Sequence, residues 1–487
     1  MDEIFGEENF LSCLTWEKGR KNDAKFFSNG HEYIAVYAKS QSYLRSVKTQ
    51  WREEKPGARD IWEQYLTLRE KHGTNDSVIE VDLQAWYSDL PRAHPAKKWS
   101  RYKRVDQHGP WRDRDISWPG GDGPNYEVLH PVTLQPCKIP EPGWRYSTLD
   151  EMNRQIKLGL VEFRNDHTEP PFRKAHIKPL PQELEPIETL DDVEPEEEDG
   201  EDEEEFATQV RGSYFYKQSQ VSVKYLRGLF GKKVFNNPKD LDEISRLIRY
   251  TTGDDPSAIV LDFFAGSGTT GEAVFRLNND DGGSRRYILV QLPEALDPRN
   301  KQQKAAAKFC EGLGRPLNIA ELTRERLRRA SAQLRTEKFR AGTDTGFRVF
   351  KLNTSNIRAW APKRNELESS LLEHLDHLHA SRTEADVLYE LLLKLGLDLC
   401  VPTEHKSIAG KTVHSVGGGV LMACLDTSIT VADAEPLALG IVAWHQQQAP
   451  AGDTTCVFRD SAFADDVAKS NLAAILEQHG IARVRSL

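Results

Sequence analysis

The chain has 487 residues, of which 38% are hydrophobic and ten are tryptophan, so it is long enough for about two to four globular domains. No apolar run approaches the roughly 18 residues needed to cross a bilayer, and the acidic start MDEIFGEENF is not a signal peptide. The six cysteines are scattered without CxxC spacing, so we expect no metal site, no disulfide framework and a cytoplasmic protein.

One segment accounts for the formal net charge of −10. Residues 188–205 carry 13 acids and no base, and removing these from the 75 acids leaves 62 acids against 65 bases. Because such a run repels itself, it predicts a disordered acidic linker at 188–206. The rest of the chain is close to neutral and can present a basic face to a polyanion.

Residues 1–50 have the composition of a short helix at MDEIFG followed by two strands, Leu11–Trp16 and Glu32–Ala38. Two strands cannot enclose a core alone. We therefore expect them to join a sheet formed by another part of the chain.

Residues 51–187 combine aromatic and basic side chains with little regular period, which is typical of a loop-rich region. The densest clusters are Lys97, Lys98, Trp99, Arg101, Tyr102, Lys103, Arg104, Trp111, Arg112, Arg114 and Trp118, and later Gly143-Trp144-Arg145-Tyr146. Cations neutralise phosphates and aromatic rings stack on bases, so these clusters predict nucleic-acid binding. The alternative is that the Trp rings pack in a core and the Arg side chains are solvated.

Between residues 207 and 257, Asn237-Pro238-Lys239 precede a predicted amphipathic helix. The apolar face of that helix consists of Leu241, Ile244, Leu247 and Ile248.

The stretch from Ala258 to Glu294 predicts a strand, a glycine turn, a helix and a second strand. An apolar run ends at Asp262 and leads into the turn Phe263-Phe264-Ala265-Gly266-Ser267-Gly268-Thr269-Thr270. The next apolar run, Tyr287–Leu292, leads to Glu294, whose carboxylate can accept two ribose hydroxyls. Glycines let the backbone approach a ligand, and the start of the helix favours a negative group. Because Gly266, Gly268 and Gly271 also spell GxGxxG, a nicotinamide or flavin dinucleotide fits as well as S-adenosylmethionine.

The C-terminal part predicts a basic helical stretch near 309–338, whose Arg-rich face we expect to be solvated, and then a separate α+β domain at 341–487. That domain has a helix at Glu384–Leu397, strand-like runs in GGVLMACLD and LGIVAW, and a last helix near Asp465–Gln478. It contains no recognisable catalytic constellation.

Three motifs together resemble those of amino-group DNA methyltransferases. DFFAGSGTT resembles their cofactor motif, Asn237-Pro238-Lys239 the element that holds the methionine end of the cofactor, and QLPE with Glu294 the ribose-binding acid. The late position of the cofactor motif is that of the β class. Nearly the whole chain resembles the modification subunit of a type III restriction–modification system, in Met1–Phe10, Lys21–Lys39, His130–Ser147, the central motif, Asp344–Leu352 and the C-terminal GLDL…VFRDSAF series.

The resemblance implies a fold, a reaction and partners. The fold is a Rossmann-like methyltransferase sheet built from residues 1–50 and 207–340, with a target-recognition domain inserted at 51–187 and an α+β assembly domain at 341–487. The reaction is transfer of a methyl group from S-adenosylmethionine to N6 of adenine in duplex DNA, after the base has left the helix. The implied partners are double-stranded DNA, a second copy of the chain and an ATP-dependent restriction subunit, with no membrane.

The family's catalytic tetrapeptide, Asp or Asn followed by Pro, Pro and Tyr or Phe, is missing. The weak candidate is Glu169-Pro170-Pro171-Phe172, which has the longer Glu side chain, follows polar residues and is better explained as a proline-rich loop. The resemblance therefore implies a chain that begins after the tetrapeptide, has an exposed gap in its sheet and transfers little methyl alone. The alternatives are an inactive fragment that keeps DNA or cofactor binding or assembly, an N4-cytosine methyltransferase, and an NAD- or FAD-dependent enzyme.

Overall fold

The computed structural model describes residues 1–19, 30–92, 94–181, 184, 206–253, 255–337, 339–358, 378–379 and 381–487. These residues divide into two compact units, Met1–Thr345 and Gly346–Leu487. The acidic run at 188–205 and the first part of the Lys21–Lys39 stretch lie outside the described residues. Across the described ranges, no helix is both long and apolar enough to span a bilayer.

The first unit is a mixed α/β structure. Its helices are α1 (Asp2–Phe5), α2 (Gln41–Ser46), α3 (Ala58–His72), α4 (Asp76–Asp89), α5 (Leu149–Lys157), α6 (Ser219–Phe230), α7 (Leu241–Thr252), α8 (Thr269–Asp281), α9 (Lys304–Gly312) and α10 (Ile319–Thr336). Its strands are β1 (Phe10–Glu17), β2 (His31–Tyr37), β3 (Glu53–Glu54), β4 (Arg104–Asp106), β5 (Gly109–Arg114), β6 (Val161–Glu162), β7 (Phe172–His176), β8 (Thr208–Gln209), β9 (Tyr214–Tyr216), β10 (Ile259–Asp262) and β11 (Arg286–Leu289).

The N-terminal strands join a sheet with a strand from far along the chain. β1 pairs antiparallel with β2 and parallel with β9, where Thr15 lies opposite Tyr214. Trp16 is buried on this sheet with its ring 5.5 Å from that of Phe215. The predicted helix, the two predicted strands and their pairing with another part of the chain are confirmed.

Two helices occupy part of the region that the sequence indicated was loop-rich. Their buried residues recur at helical spacing: Ile61, Tyr65 and Leu68 in α3, and Ile79, Leu83 and Tyr87 in α4. The side chain of Asn75 caps α4 by accepting a hydrogen bond from the Val78 N–H. The loop-rich prediction is wrong for residues 58–89, because the buried residues of α3 and α4 repeat at helical spacing, with one aromatic residue in each set, Tyr65 and Tyr87.

A four-stranded antiparallel sheet follows these helices, in the order β4-β5-β7-β6. One side of it shares a core with α3 and α4 through Tyr102 and Val105. A second core surrounds Trp144 and Met152. The region between residues 51 and 181 is therefore built on its own sheet and cores.

Asp106, at the end of β4, connects this sheet to α3. Its carboxylate lies 2.9 Å from Nε2 of His176 and 3.4 Å from Nζ of Lys174, and its carbonyl accepts a hydrogen bond from Arg69 at 2.8 Å. Burial opposes ionisation of Asp106, but the hydrogen bond and charge of His176 outweigh it, with Lys174 adding to them, and hold its carboxyl pKa below the usual value.

We expect Asp106→Asn to destabilise the fold by about 1–3 kcal/mol at neutral pH, since it weakens hydrogen bonds to a partly buried charge. A carboxyl pKa that is lower in the folded state stabilises above the unfolded value of about 3.9, and this contribution is lost as pH falls through the folded pKa. Urea unfolding of both proteins should therefore show a difference at pH 7 that shrinks towards pH 3. A difference that stays constant with pH would contradict this account.

The predicted strand–helix–strand unit is confirmed as β10, α8 and β11. The two strands are parallel, from Ile259 opposite Arg286 to Asp262 opposite Leu289. The second strand ends at Leu289, earlier than the apolar run suggested.

The predicted amphipathic helix is confirmed as α7. The side chain of Asp240 caps it by accepting from the N–H of Glu243, and Ile248 packs with Ala273 and Val274 of α8. This contact brings the segment after Asn237-Pro238-Lys239 against the helix that follows the glycine turn.

The strands that we expected in one methyltransferase sheet form two sheets within the described residues, β2-β1-β9 and β10-β11. Val260 and Tyr287 lie on one face of the β10–β11 pair and pack against α7 and α8. The opposite face exposes more than half of the side chains of Ile259, Leu261 and Ile288. Parallel strands are usually covered on both faces, whereas this aliphatic face is exposed within the described part of the chain.

The second unit is one mixed sheet between helices. Its elements are α11 (Glu384–Lys394), β12 (Thr403–Ile408), β13 (Lys411–Val416), β14 (Leu421–Cys424), α12 (Val431–Gln448), β15 (Thr455–Phe458), α13 (Asp466–Gln478) and β16 (Arg483–Ser486). The strands lie in sequence order, antiparallel up to β14 and parallel from β14 to β16. α12 and α13 share a core with one face of the sheet, and α11 shares a core with the other.

One expected strand of this unit is a helix. The run LGIVAW (Leu439–Trp444) lies inside α12, whereas GGVLMACLD contains β14 as expected, and α11 and α13 match the two predicted helices. A six-residue apolar run does not distinguish a strand from a buried helix. The capping box of Thr430 and Asp433 at the start of α12 was the available signal.

Candidate functional site

Asp262, the last residue of β10, closes the glycine turn. One carboxylate oxygen accepts from the N–H of Phe264 at 3.1 Å, and the other accepts from the hydroxyl of Thr270 at 2.7 Å. The N–H of Ala265 donates to the carbonyl of Val290, just beyond β11, at 3.1 Å. The turn is therefore attached both to its own helix and to the neighbouring strand.

The two glycines of the turn and Gly271 of α8 are each required by backbone conformation or by packing. Gly266 and Gly268 have φ of +52° and +79°, the left-handed region that glycine adopts without a Cβ penalty. A Cβ on Gly271 would lie 2.9 Å from Leu327 of α10 and 3.0 Å from Leu289 of β11, so this glycine lets α8 approach both. No side chain caps the N-terminus of α8 at Gly268. Unpaired N–H groups at a helix start favour a negatively charged ligand group.

α10 supports the turn from behind. The hydroxyl of Thr323 donates to the carbonyl of Gly266 at 2.6 Å. The guanidinium of Arg326 donates through Nη1 to the hydroxyls of Ser267 and Thr269, at 2.9 and 2.7 Å. Two side chains of one helix therefore hold three residues of the turn.

Arg326 is only 1% exposed, and Glu272 of α8 is fully buried. Their Nε and Oε2 atoms are 2.7 Å apart, while the other oxygen of Glu272 accepts from Arg276 at 2.9 Å and from the Tyr225 hydroxyl. The expectation that the Arg-rich face of this helix is solvated is wrong for Arg326, because Glu272 neutralises it. The one hint in the sequence was an acid inside the apolar stretch TTGEAVF.

An open cavity of about 360 Å³ lies at the carboxyl end of β10. Its lining consists of the α7 residues Ile244, Leu247 and Ile248 together with Leu261, Asp262, Phe263, Phe264 and Thr270. Phe263 and Phe264 are 61% and 78% exposed. Small ligands of α/β folds bind at the carboxyl ends of strands, between apolar walls with a few polar groups, so this cavity is a candidate ligand site.

The other two predicted cofactor elements lie on either side of this unit in sequence. Lys239 forms an ion pair with Glu32 of β2, which also pairs with Lys18, the residue after β1, at 2.7 Å. Asn237 is exposed and Pro238 is buried. The segment is thus held by the N-terminal hairpin, and α7 connects it to the cavity.

Glu294 follows β11 in an exposed loop. Its backbone carbonyl accepts from the N–H of Ile319, at the start of α10, at 3.1 Å. Its carboxylate makes no hydrogen bond or ion pair within the described part of the chain, so the group predicted to bind ribose is accessible.

The look-alike tetrapeptide lies elsewhere, in the antiparallel sheet. Glu169 is exposed, with its carboxylate 3.6 Å from Nε of Arg164. Phe172 begins β7 and is 7% exposed, with the guanidinium carbons of Arg104 and Arg164 at 5.7 and 4.8 Å from its ring centre. A ring covered in this way cannot stack on a base in this conformation.

The basic and aromatic clusters divide into two groups. Trp111, Trp144 and Tyr102 are buried, so for these rings the packing alternative holds. The exposed bases Arg92, Lys98, Arg101 and Lys103, which we call the basic patch, surround the half-buried Trp99 in sequence. The guanidinium carbon of Arg101 lies 5.3 Å from the centre of the Trp99 ring, whose Nε1 donates to the carbonyl of Pro56 at 3.1 Å.

A known protein family matches the part of the chain that contains this glycine turn. The N6_N4_Mtase family, described as DNA methylase, matches residues 1–294, more than half of the chain. The chain therefore belongs to the DNA methylase family.

Among individual proteins, the chain is similar to the Mod subunit of the type III restriction-modification enzyme EcoP15I from Escherichia coli, with 30% identity over 86% of this chain and 57% of that protein. It is 26% identical to the StyLTI Mod subunit of Salmonella typhimurium over 73% of this chain and 43% of that subunit. It is 51% identical to the type II methyltransferase M.KpnI of Klebsiella pneumoniae over 60% of this chain and 58% of that enzyme. The resemblance to type III modification subunits is confirmed, and the chain spans about half the length of these relatives.

Proposed function

We propose that this chain acts in a type III restriction–modification system as a modification subunit that transfers a methyl group from S-adenosylmethionine to N6 of adenine in duplex DNA. The observation that carries the proposal is the glycine turn at the carboxyl end of β10, with its uncapped helix start and apolar cavity. Similarity to three type III Mod subunits supports the choice of system.

The residues present fit S-adenosylmethionine, which when bound supplies a methyl group on a sulfonium. The start of α8 suits its carboxylate, the rings of Phe263 and Phe264 offer an apolar wall, and the exposed carboxylate of Glu294 suits the ribose hydroxyls. We propose the following binding residues: Asn237, Pro238, Lys239, Asp262, Phe263, Phe264, Ala265, Gly266, Ser267, Gly268, Thr269, Thr270 and Glu294. The finer arrangement that we propose is a Rossmann-like core from residues 1–50 and 207–340, with recognition at 51–187 and assembly at 341–487.

The basic patch is our candidate for contact with the DNA backbone. The guanidinium carbon of Arg101 lies 5.3 Å from the centre of the Trp99 ring, and arginine side chains are suited to contacts with phosphate. The proposed partners are double-stranded DNA, a second copy of this chain and the restriction subunit, and the proposed compartment is the cytoplasm.

Replacing both Lys98 and Lys103 with glutamine should weaken duplex binding at all sequences, because phosphate contacts carry no sequence information. We expect the slope of log K against log salt to fall by about 2, one for each cation lost. Fluorescence anisotropy across a salt series measures this. As a control, Lys394→Gln in the second unit, where Lys394 pairs with Glu390 at 2.9 Å, should leave the slope unchanged. Equal slopes for all three proteins would show that the basic patch does not contact the DNA.

A second candidate function is a cofactor- and DNA-binding subunit that needs another polypeptide for catalysis. Two observations favour it: Phe172 is buried, and the β10–β11 pair leaves one aliphatic face uncovered. In this case the chain binds ligands but transfers no methyl alone.

The deciding experiment incubates the chain with radiolabelled S-adenosylmethionine and unmethylated plasmid DNA, and identifies the modified base by mass spectrometry. 6-Methyladenine supports the proposal, and 4-methylcytosine would replace it with a cytosine methyltransferase. Binding of S-adenosylhomocysteine in calorimetry without methylation supports the second candidate. Binding of NADH or FAD instead would overturn both. Asp262→Ala, which removes both bonds that close the turn, is the negative control.

A further inference from the structure

Arg326 is unusual among the arginines of α10, because it is buried and donates to the hydroxyls of two residues of the glycine turn. Its neighbour on the same helix, Arg329, pairs with Glu325 at 2.7 Å and stays about one-third exposed. Burying a guanidinium is costly unless it is paired and its donors are used. The Nε of Arg326 donates to the carboxylate of Glu272, and its Nη1 donates to the hydroxyls of Ser267 and Thr269.

We propose that Arg326 is a positioning residue for the cofactor, which holds the Gly266–Thr270 turn in its binding conformation before the cofactor arrives. This inference rests on the proposed function of the turn. Ser267 and Thr269 lie on either side of Gly268, and their hydroxyl oxygens are 3.1 Å apart, so one Nη1 group bridges them. The bridge spans Gly268, the residue just before α8, and therefore sets the direction of the first N–H groups of that helix.

The argument for affinity is entropic. Gly266 and Gly268 have more backbone freedom than other residues, so an unsupported turn would have to be ordered when the ligand binds. The buried guanidinium of Arg326, whose donors lie in one plane, orders the turn before the ligand arrives, which reduces the entropic cost of binding. Lysine keeps the charge beside Glu272, but its ammonium cannot reproduce the fork that serves Glu272 and the two hydroxyls at once.

The test compares the affinity of S-adenosylhomocysteine for Arg326→Lys and for the double variant Ser267→Ala/Thr269→Val, which removes the acceptors and keeps the Arg326–Glu272 pair. Calorimetry is performed well below the melting temperature of each variant, so that loss of packing alone does not change the dissociation constant. We expect both variants to bind about tenfold or more weakly, the effect of one hydrogen bond to a charged group. Arg329→Lys is the matched control and should bind like the parent.

Parent-like affinity in both variants would overturn the proposal. If Arg326→Lys does not fold, hydrogen exchange at the N–H of Gly268 in the double variant decides, because Ser267 and Thr269 are themselves proposed cofactor-binding residues. If the parent itself binds no S-adenosylhomocysteine, the proposed function fails, and the positioning role is then decided by hydrogen exchange. The N–H of Gly268, which donates to Ala265 at 2.7 Å, should exchange faster in the double variant than in the parent, and unchanged exchange would refute the role of Arg326.

Discussion

Replacing Glu272 with alanine is expected to lower the free energy of unfolding of the first unit by about 3–5 kcal/mol, because it leaves the buried guanidinium of Arg326 without its counter-charge. Glu272 is fully buried and connects Arg326, Arg276 and the Tyr225 hydroxyl. An effect of this size removes a large share of the stability of an ordinary domain. Urea unfolding followed by tryptophan fluorescence measures it.

The matched control is Glu325→Ala on α10. Glu325 also pairs with an arginine at 2.7 Å, but Arg329 is about one-third exposed, so we expect a loss of about 1 kcal/mol or less. Similar losses in the two variants would show that burial of the Glu272 pair has little energetic consequence. The replacement Glu272→Gln keeps the shape and should fall between the two.

Trp144→Ala is expected to destabilise the fold of residues 51–181 by about 3–5 kcal/mol, the range for removing a buried aromatic side chain. The ring is fully buried, stacks on Tyr126 with 6.0 Å between ring centres, and donates from Nε1 to the Tyr126 carbonyl at 2.8 Å. DNA binding should be lost only in step with unfolding, because this ring cannot reach a base.

Trp144→Phe separates the packing from the hydrogen bond. It keeps most of the ring volume and leaves the Tyr126 carbonyl without its donor, so we expect a loss of about 1–3 kcal/mol. Folded Trp144→Phe protein should bind duplex DNA with parent affinity. A large loss of affinity in folded protein would instead show that Trp144 contributes to DNA binding.

The local parts of the site could be predicted from the sequence. Asp262, the glycines and the start of α8 belong to one continuous stretch, in which apolar runs and turn residues alternate. α7 was equally predictable, because Leu241, Ile244, Leu247 and Ile248 repeat at helical spacing. These features depend on neighbours in the chain, which a sequence displays directly.

The long-range parts could not be predicted in the same way. Arg326 and Glu272 lie 54 positions apart and meet only because α10 packs behind the turn. The ion pair of Lys239 with Glu32 joins residues 207 positions apart. Nothing in the composition of either segment identifies its partner. The strand prediction for the run LGIVAW was wrong for a different reason, since its apolar content suits a strand and a buried helix equally.

The pairing of β1 with β9 sets an order of events during synthesis. Thr15 cannot meet Tyr214 until the whole region between them has left the ribosome. At a synthesis rate of about 5–20 residues per second, the N-terminal hairpin waits on the order of ten to forty seconds for this neighbour. The intervening helices and sheet have their own cores and can fold during that interval. Residues 51–181 are therefore expected to become native before the ligand site of the same unit, which needs Glu32 beside Lys239.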